Sequence, residues 1–247
     1  MSVMWKPSPN YTDGRQGHAP VGIVVHIMQG SMSDTDSWFT TTKSRVSAHY
    51  GIAASGEVHQ YVAEGDSAWH AGRVYEPTWP LLKPGVNPNL YTIGIEHEGQ
   101  SGSAWPDAQF QTSAALIAEI ATRWAIPLDR DHIVQHADIY GLKPFCPGGG
   151  VNLDELIARA RALATTNAAN NFVPSARSVT TTTDLNLRTA PNTHANITRT
   201  IAATTALDTV GWTSNGETVH GNSHWYRTAD GNYAWAGGTN QPIPTAP

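Results

Sequence analysis

VGIVVHIM, residues 21–28, is an apolar run interrupted only by a glycine and a late histidine. Strands covered on both faces read as near-continuous Val/Ile/Leu runs, whereas strands with one wet face alternate. The run is therefore expected as a central strand, with His26 near its end. Outward from it the pattern mixes types. SAHYGIAASGEVHQYV (47–62) reads as two strands around a Ser-Gly turn, and YTIGIEHEG (91–99) as another strand. WPDAQFQTSAALIAEIATRWAI (105–126) opens with Pro106 and Asp107, then repeats apolar residues at Phe110, Ala114, Ile117, Ala121 and Trp124, the spacing of a helix. HIVQ (132–135) is a short strand that leads straight into His136. Strands and helices alternating in this way predict an α/β domain, a mixed central sheet flanked by helices.

A helix closes that domain. NLDELIARARAL (152–163) puts Leu153, Leu156, Ile157, Ala160 and Leu163 on one face, and Asn152 with Glu155 three residues later has the form of a capping box. The following stretch, ALATTNAANNFVPSA (162–176), lacks any Asp, Glu, Lys or Arg and is rich in Ala, Asn and Thr, which reads as a linker. Beyond it come short period-two runs such as DLNLRT (184–189) and HWYRTADGNYAWAG (224–237), separated by Asn, Gly and Ser turns. The expected organisation is a first domain over 1–165, a linker over 166–178 and a small all-β module over 179–247.

Composition limits the chemistry. The 247 residues are 40% hydrophobic, with nine Trp and eight Tyr, as in an ordinary folded protein. Residues 1–165 carry 11 Lys+Arg against 16 Asp+Glu, and residues 166–247 carry four of each. Neither part has the clustered basic charge that phosphate neutralisation requires, so nucleic acid is not an expected partner. The start, MSVMWKPSPNYTDGRQ, lacks the apolar core of a signal peptide, and VGIVVHIM is too short to span a bilayer. Synthesis in the cytoplasm, with no membrane partner and a monomeric state, is the expectation.

The single cysteine, in HADIYGLKPFCPGGG (136–150), excludes an intramolecular disulfide. Cys146 is a buried core thiol, a reactive thiol or a metal ligand. Catalytic zinc sites take three ligands from His, Cys and carboxylate and leave a fourth position open. Of the 11 histidines, His26 and His136 stand out because each sits at a strand end, where a side chain is held rigidly.

Several segments, in order, resemble the zinc-dependent N-acetylmuramoyl-L-alanine amidases of the phage T7 lysozyme and peptidoglycan-recognition-protein type. VVHIMQG (24–30) is similar to the first-ligand strand, SAHYGIAASGEVHQYV to the hairpin after it, and WHAG (69–72) to the substrate-side turn. IGIEHEG (93–99) is similar to a core strand, and HADI (136–139) with CPG (146–148) to the remaining ligands. The resemblance spans about 20–160. It implies a Zn2+ cofactor held by His26, His136 and Cys146, and hydrolysis of the amide between N-acetylmuramic acid and L-alanine in bacterial peptidoglycan.

For the general base it implies Glu96. Strand alternation alone puts Glu96 and Glu98 on one face and does not choose between them. Some relatives carry a tyrosine immediately before the hairpin histidine, but this chain has Ala48 before His49 and Tyr50 after it, which shifts weight to Glu96. The family often has a lysine two residues before the third ligand to stabilise the oxyanion. Here Lys143 is three before Cys146, so either the loop bulges and Lys143 points inward, or it is a surface lysine. Trp69 and His70 are the implied substrate contacts, with His49 and Tyr50 lining the cleft or packed in their strand. Asp138 orients His136 or caps a turn.

LNLRTAP (185–191), GNSHWYR (221–227) and DGNYAWAG (230–237) resemble bacterial SH3 domains, which implies a small SH3-like barrel. Trp225, Tyr226, Tyr233 and Trp235 are its candidate cell-wall contacts, with core positions the competing reading. A catalytic domain followed by a wall-binding module fits a phage or prophage endolysin that acts on the wall after release. Two other functions stay open: a wall-recognition protein that does not cut, and a zinc peptidase acting on the stem peptide, although no HExxH stretch is present.

Overall fold

The computed structural model describes residues 2–170 and 172–244. Two compact units emerge, one of residues up to 118 together with 126–161, the other of 119–125 together with the residues from 162 onward. Among the described residues no helix is long and apolar enough to cross a membrane.

The first unit is built on β1 (Val3–Trp5), β2 (Tyr11–Thr12), β3 (Gly22–Ile27), α1 (Met32–Phe39), β4 (Tyr50–Ile52), β5 (Val58–Gln60), β6 (Ser67–Ala68), β7 (Thr92–His97), α2 (Asp107–Trp124), β8 (Ile133–Gln135) and α3 (Leu153–Asn170). Six strands form one mixed sheet in the order β1-β5-β4-β7-β3-β8, and β2 pairs with β6 apart from it. All contacts in the large sheet are parallel except β4 with β5. The expected central strand is β3, buried at every position because β7 and β8 flank it and both faces are covered.

Parallel register partners point to the same side, so the ladder sorts the side chains. Ile23, Val25 and Ile27 align with Ile93, Ile95 and His97. That face meets α2: His97 Nε2 lies 2.8 Å from Ser113 Oγ, and Gln109 Nε2 donates to Ile52 O and Glu98 O. The opposite face carries Val24 and His26 of β3, and Thr92, Gly94 and Glu96 of β7. Apolar packing on its lower half comes from Trp79, Leu90, Tyr91, Val134 and Ile139 around Val24. Its upper half is left to polar side chains.

Helix ends follow local chemistry. Asn152 Oδ1 accepts from the backbone N–H groups of Asp154 and Glu155, so the expected cap of α3 is in place. α1, which the apolar pattern did not reveal, starts at a capping box between Ser31 and Asp34. The expected linker needs correction. α3 continues to Asn170 and β9 (Phe172–Thr180) begins at Phe172, so 166–178 is occupied by helix and strand on either side of residue 171. An uncharged stretch rich in alanine is a good helix former, and lack of charge alone did not signal a break.

The second unit adds β10 (Leu185–Arg188), β11 (Ile197–Ile201), β12 (Ala206–Thr213), β13 (Trp225–Arg227) and β14 (Tyr233–Trp235). They form an all-antiparallel sheet in the order β11-β10-β14-β13-β12-β9. Val179, Leu185, Leu187, Leu207, Tyr226, Ala234 and Ala236 make its core. Trp225 and Tyr226 are therefore not wall contacts, being 1% and 0% exposed. Tyr226 faces the core and its hydroxyl donates to Gln241 O, while Trp225 is covered by the loop at Gly216 and donates to Glu217 O. Tyr233 and Trp235 stay half-buried, with the Arg227 guanidinium over the Tyr233 ring and Trp235 Nε1 donating to Asn222 O.

Candidate metal centre

Three elements bring His26, His136 and Cys146 together. His26 ends the apolar part of β3. His136 opens a single 3-10 turn (His136–Asp138) directly after β8, the neighbour of β3 in the sheet. The loop that follows folds back: Lys143 N donates to Tyr140 O, Cys146 N to Lys143 O, and Ala137 N to Cys146 O. One ligand atom from each of the three residues lies within 4.8 Å of the others. Cys146 Sγ is 3.8 Å from His26 Nδ1, and the two imidazole centroids are 4.5 Å apart. A tetrahedral ion at ordinary metal–nitrogen and metal–sulfur lengths holds such ligands about 3.6 Å apart. The donor set and its spacing thus fit a divalent metal.

Electrostatics prepare the same site. Burial pulls His26 well below the ordinary imidazole value, helped by His136 and His70, and burial also lowers His136, with Lys143 adding to the effect. Both rings are neutral and able to ligate at neutral pH. His136 Nε2 lies 3.1 Å from Ala71 O, an acceptor only, so Nε2 carries the hydrogen and Nδ1 keeps the lone pair. Burial pushes the Cys146 thiol up to about 12, with the Glu96 carboxylate adding to the rise. Asp138 does not touch His136 through its side chain; its carboxylate caps the turn by accepting from Gln135 N.

Glu96 sits across the ladder from His26 on one side and from Gly51 on the other. Its Oε2 is buried without a hydrogen-bond partner, and burial raises its pKa to about 8 against the opposing charge of Lys143. Glu98 is in a different position. Its Oε1 accepts from Met32 N at the start of α1 and its Oε2 from Ala54 N, so this carboxylate ties loops together. The structure separates two glutamates that alternation could not. Lys143 is solvent-exposed at the cleft wall, and its charge acts on Glu96, His136 and Cys146 alike.

A cleft of about 830 Å³ opens above the triad. Trp69 lines it, as expected of a substrate contact, and anchors its indole N–H on Thr12 Oγ1. The other expected contacts are placed differently. His70 touches the cleft but is only 7% exposed, and its two ring nitrogens meet His26 Nε2 and Thr92 Oγ1. His49 is fully buried, its Nδ1 accepting from Gly94 N and its Nε2 facing Arg15 and Asp66 O. Tyr50 is buried with its hydroxyl donating to Glu64. His49 and Tyr50 do not line the cleft, since β4 lies one strand further from His26 than β7 does, and His70 reaches it with both ring nitrogens already engaged by neighbours. Sequence reading missed the aromatic rim, Trp38 on α1 and Phe145 beside the thiol, 55% and 71% exposed. Isolated aromatics in a short helix and a loop carry no periodic signal.

Residues 16–149, which include His26, His136 and Cys146, match the profile of the Amidase_2 family, N-acetylmuramoyl-L-alanine amidase. The chain is 34% identical over 124 residues to N-acetylmuramoyl-L-alanine amidase A of Achromobacter lyticus, covering 49% of this chain and 62% of that protein, under two thirds of the relative's length. To the 1,6-anhydro-N-acetylmuramyl-L-alanine amidase AmpD of Citrobacter freundii it is 32% identical over 177 residues, which cover 64% of this chain and 88% of AmpD. The crystal structure of a Se-Met AmpD derivative superposes with a TM-score of 0.53 at 29% identity, covering 65% of this chain and 93% of that one. With the profile spanning more than half of its length and AmpD matched over most of its own, the chain belongs to the N-acetylmuramoyl-L-alanine amidase family.

Proposed function

We propose that the chain is a zinc-dependent enzyme that hydrolyses the amide between N-acetylmuramic acid and L-alanine in bacterial peptidoglycan. The observation that carries this reading is a buried, unpartnered carboxylate oxygen on Glu96 in register with a His/His/Cys triad at the floor of an open cleft. His26, His136 and Cys146 would hold the zinc, which would supply Lewis-acid chemistry, acidifying water toward a pKa of about 7 and polarising a carbonyl. Glu96 accepts the proton of the attacking water and returns it to the departing amine of L-alanine. Lys143 places a positive charge where the carbonyl oxygen gains its negative one. Trp69, Trp38 and Phe145 offer apolar faces to the sugar and the stem peptide and exclude water around the scissile bond.

Mass spectrometry of wall fragments tests the bond. Digestion with the zinc-loaded protein is expected to leave glycan strands with free lactyl carboxyls and peptides with new amino termini on L-alanine. Fragments cut within the stem peptide would instead make the protein a peptidase, and unchanged walls a binding protein.

The second unit, in this reading, is an SH3-like module that holds the enzyme on the polymer and raises its local concentration there. Its half-exposed Tyr233 and Trp235 are the contacts, and a lysis enzyme reaching the wall from the cytoplasm after membrane permeabilisation fits the arrangement. Tyr233→Ala in the full chain is expected to lower co-sedimentation with purified walls several-fold while leaving the melting temperature of the protein within a few degrees. Undiminished sedimentation removes Tyr233 from the wall-binding surface.

A further inference from the structure

His70 stands between the ligand His26 and Thr92, and the hydrogens along this line can be assigned in sequence. Thr92 Oγ1 has a single hydrogen, and it is donated to Pro88 O at 2.7 Å, a carbonyl that can only accept. Towards His70 Nε2, 3.2 Å away, the hydroxyl is therefore an acceptor, and Nε2 carries the hydrogen. A neutral imidazole has one such hydrogen, so His70 Nδ1 is bare and accepts from His26 Nε2 at 3.1 Å. His26 is left with a bare Nδ1, the atom that faces Cys146 Sγ.

We propose that Thr92 and His70 are positioning residues, a one-way hydrogen-bond relay from Pro88 O that locks His26 in the tautomer presenting Nδ1 to the metal. The chain has been shaped around it. Gly94, between Thr92 and Glu96 on the same face of β7, leaves room for the His70 ring, since a Cβ there would stand 2.4 Å from His70 Cγ. Asn89 Oδ1 accepts from both His70 N and Ala71 N, and Ala71 O is the acceptor that sets the tautomer of His136. The turn at 70–71 thus orients both histidine ligands, which explains the burial of a histidine expected to touch substrate. Partners of this kind govern metal affinity through the ligand's orientation and basicity.

The relay rests on His26 being a metal ligand, and the test separates the two claims. Zn2+ affinity of the full chain is measured by competition with a chromophoric chelator for the wild type, Thr92→Val and Thr92→Ser, and the histidine tautomers of the metal-free wild type are read by 15N NMR. Thr92→Val removes the hydroxyl acceptor without changing the shape, leaving His70 only the Thr92 backbone carbonyl, and a loss of about 10- to 100-fold in affinity is expected. Thr92→Ser, which keeps the hydroxyl, is expected to return to within a few-fold of wild type. In the metal-free wild type, His26 and His70 are both expected to carry hydrogen on Nε2. Equal affinity for Thr92→Val, equal losses for Val and Ser, or a hydrogen on Nδ1 of His70 each overturns the relay. A wild type that takes up no Zn2+ overturns the ligand assignment, and the tautomers still decide the relay, as they do if Thr92→Val fails to fold.

Discussion

Cys146→Ala is expected to lose tightly bound zinc and, with it, all measurable amide hydrolysis, while the circular dichroism of the protein is expected to stay that of the wild type. The loss in affinity exceeds the about 10- to 100-fold typical of a partner that only orients a ligand. Cys146 supplies the sole negative charge among the three ligands, on a loop held to His136 by the Ala137 N–H to Cys146 O bond rather than by the side chain. Proton counting makes the prediction specific. With its pKa raised by burial to about 12, the thiol is protonated at pH 7 in the metal-free protein, whereas burial keeps both histidines neutral. Of the three ligands only the thiol must lose a proton to bind, so uptake releases at least about one proton per ion, with Glu96 able to add to it from its raised pKa, and affinity rises at least about tenfold per pH unit over the neutral range. Calorimetry in buffers of different ionisation enthalpy reads that proton. Wild-type affinity in Cys146→Ala, or no proton released by the wild type, would remove the thiol from the metal.

What could be read from the sequence follows from which interactions are periodic. β3 is recognisable because both its faces are buried, leaving a continuous apolar run, and α2 because Ala114, Ile117 and Ala121 repeat on its buried face. α1 was invisible: in eight residues only Met32, Thr35 and Phe39 are buried, and its start depends on Ser31 and Asp34 bonding each other. The clustering of His26, His136 and Cys146 was legible from strand ends and from family resemblance, since each position is tied to a local motif. His70, His49 and Tyr50 were not, because whether a polar side chain meets substrate or another side chain is set by neighbours distant in sequence. Thr92, Pro88 and Asn89 constrain the histidine at position 70, and nothing in WHAG announces them. Likewise Trp225 and Tyr226 are adjacent on one strand, and alternation predicts that one should be exposed. A loop at Gly216 covers the outward one.

Glu96→Gln is expected to lower kcat by about 10²- to 10⁴-fold, the usual worth of a positioned general base, with KM changed by no more than a few-fold and zinc retained. The amide has the shape of the carboxyl but cannot take a proton. Glu98→Gln serves as the comparison, because that carboxylate is engaged by Met32 N and Ala54 N, and its variant is expected to keep kcat within a few-fold. The pH dependence of stability gives an independent reading of the same side chain. In the metal-free folded protein Glu96 is raised from its ordinary 4.5 to about 8, so between those values the folded state binds more protons than the unfolded one. The Glu96 contribution to stability therefore falls as pH climbs from about 4.5 towards 8 and is constant beyond it, while the buried neutral histidines act in the opposite direction below about 6.5. Urea unfolding of the chelated protein across that range should show the stability of the wild type falling relative to that of Glu96→Gln as pH rises from about 4.5 to 8, because the histidine contributions are common to both and cancel in the difference. The same geometry produces both effects, since the pocket that leaves Oε2 without a partner penalises its charge and keeps it free for a substrate-derived proton. A variant retaining more than a tenth of wild-type kcat would remove the proton transfer from Glu96.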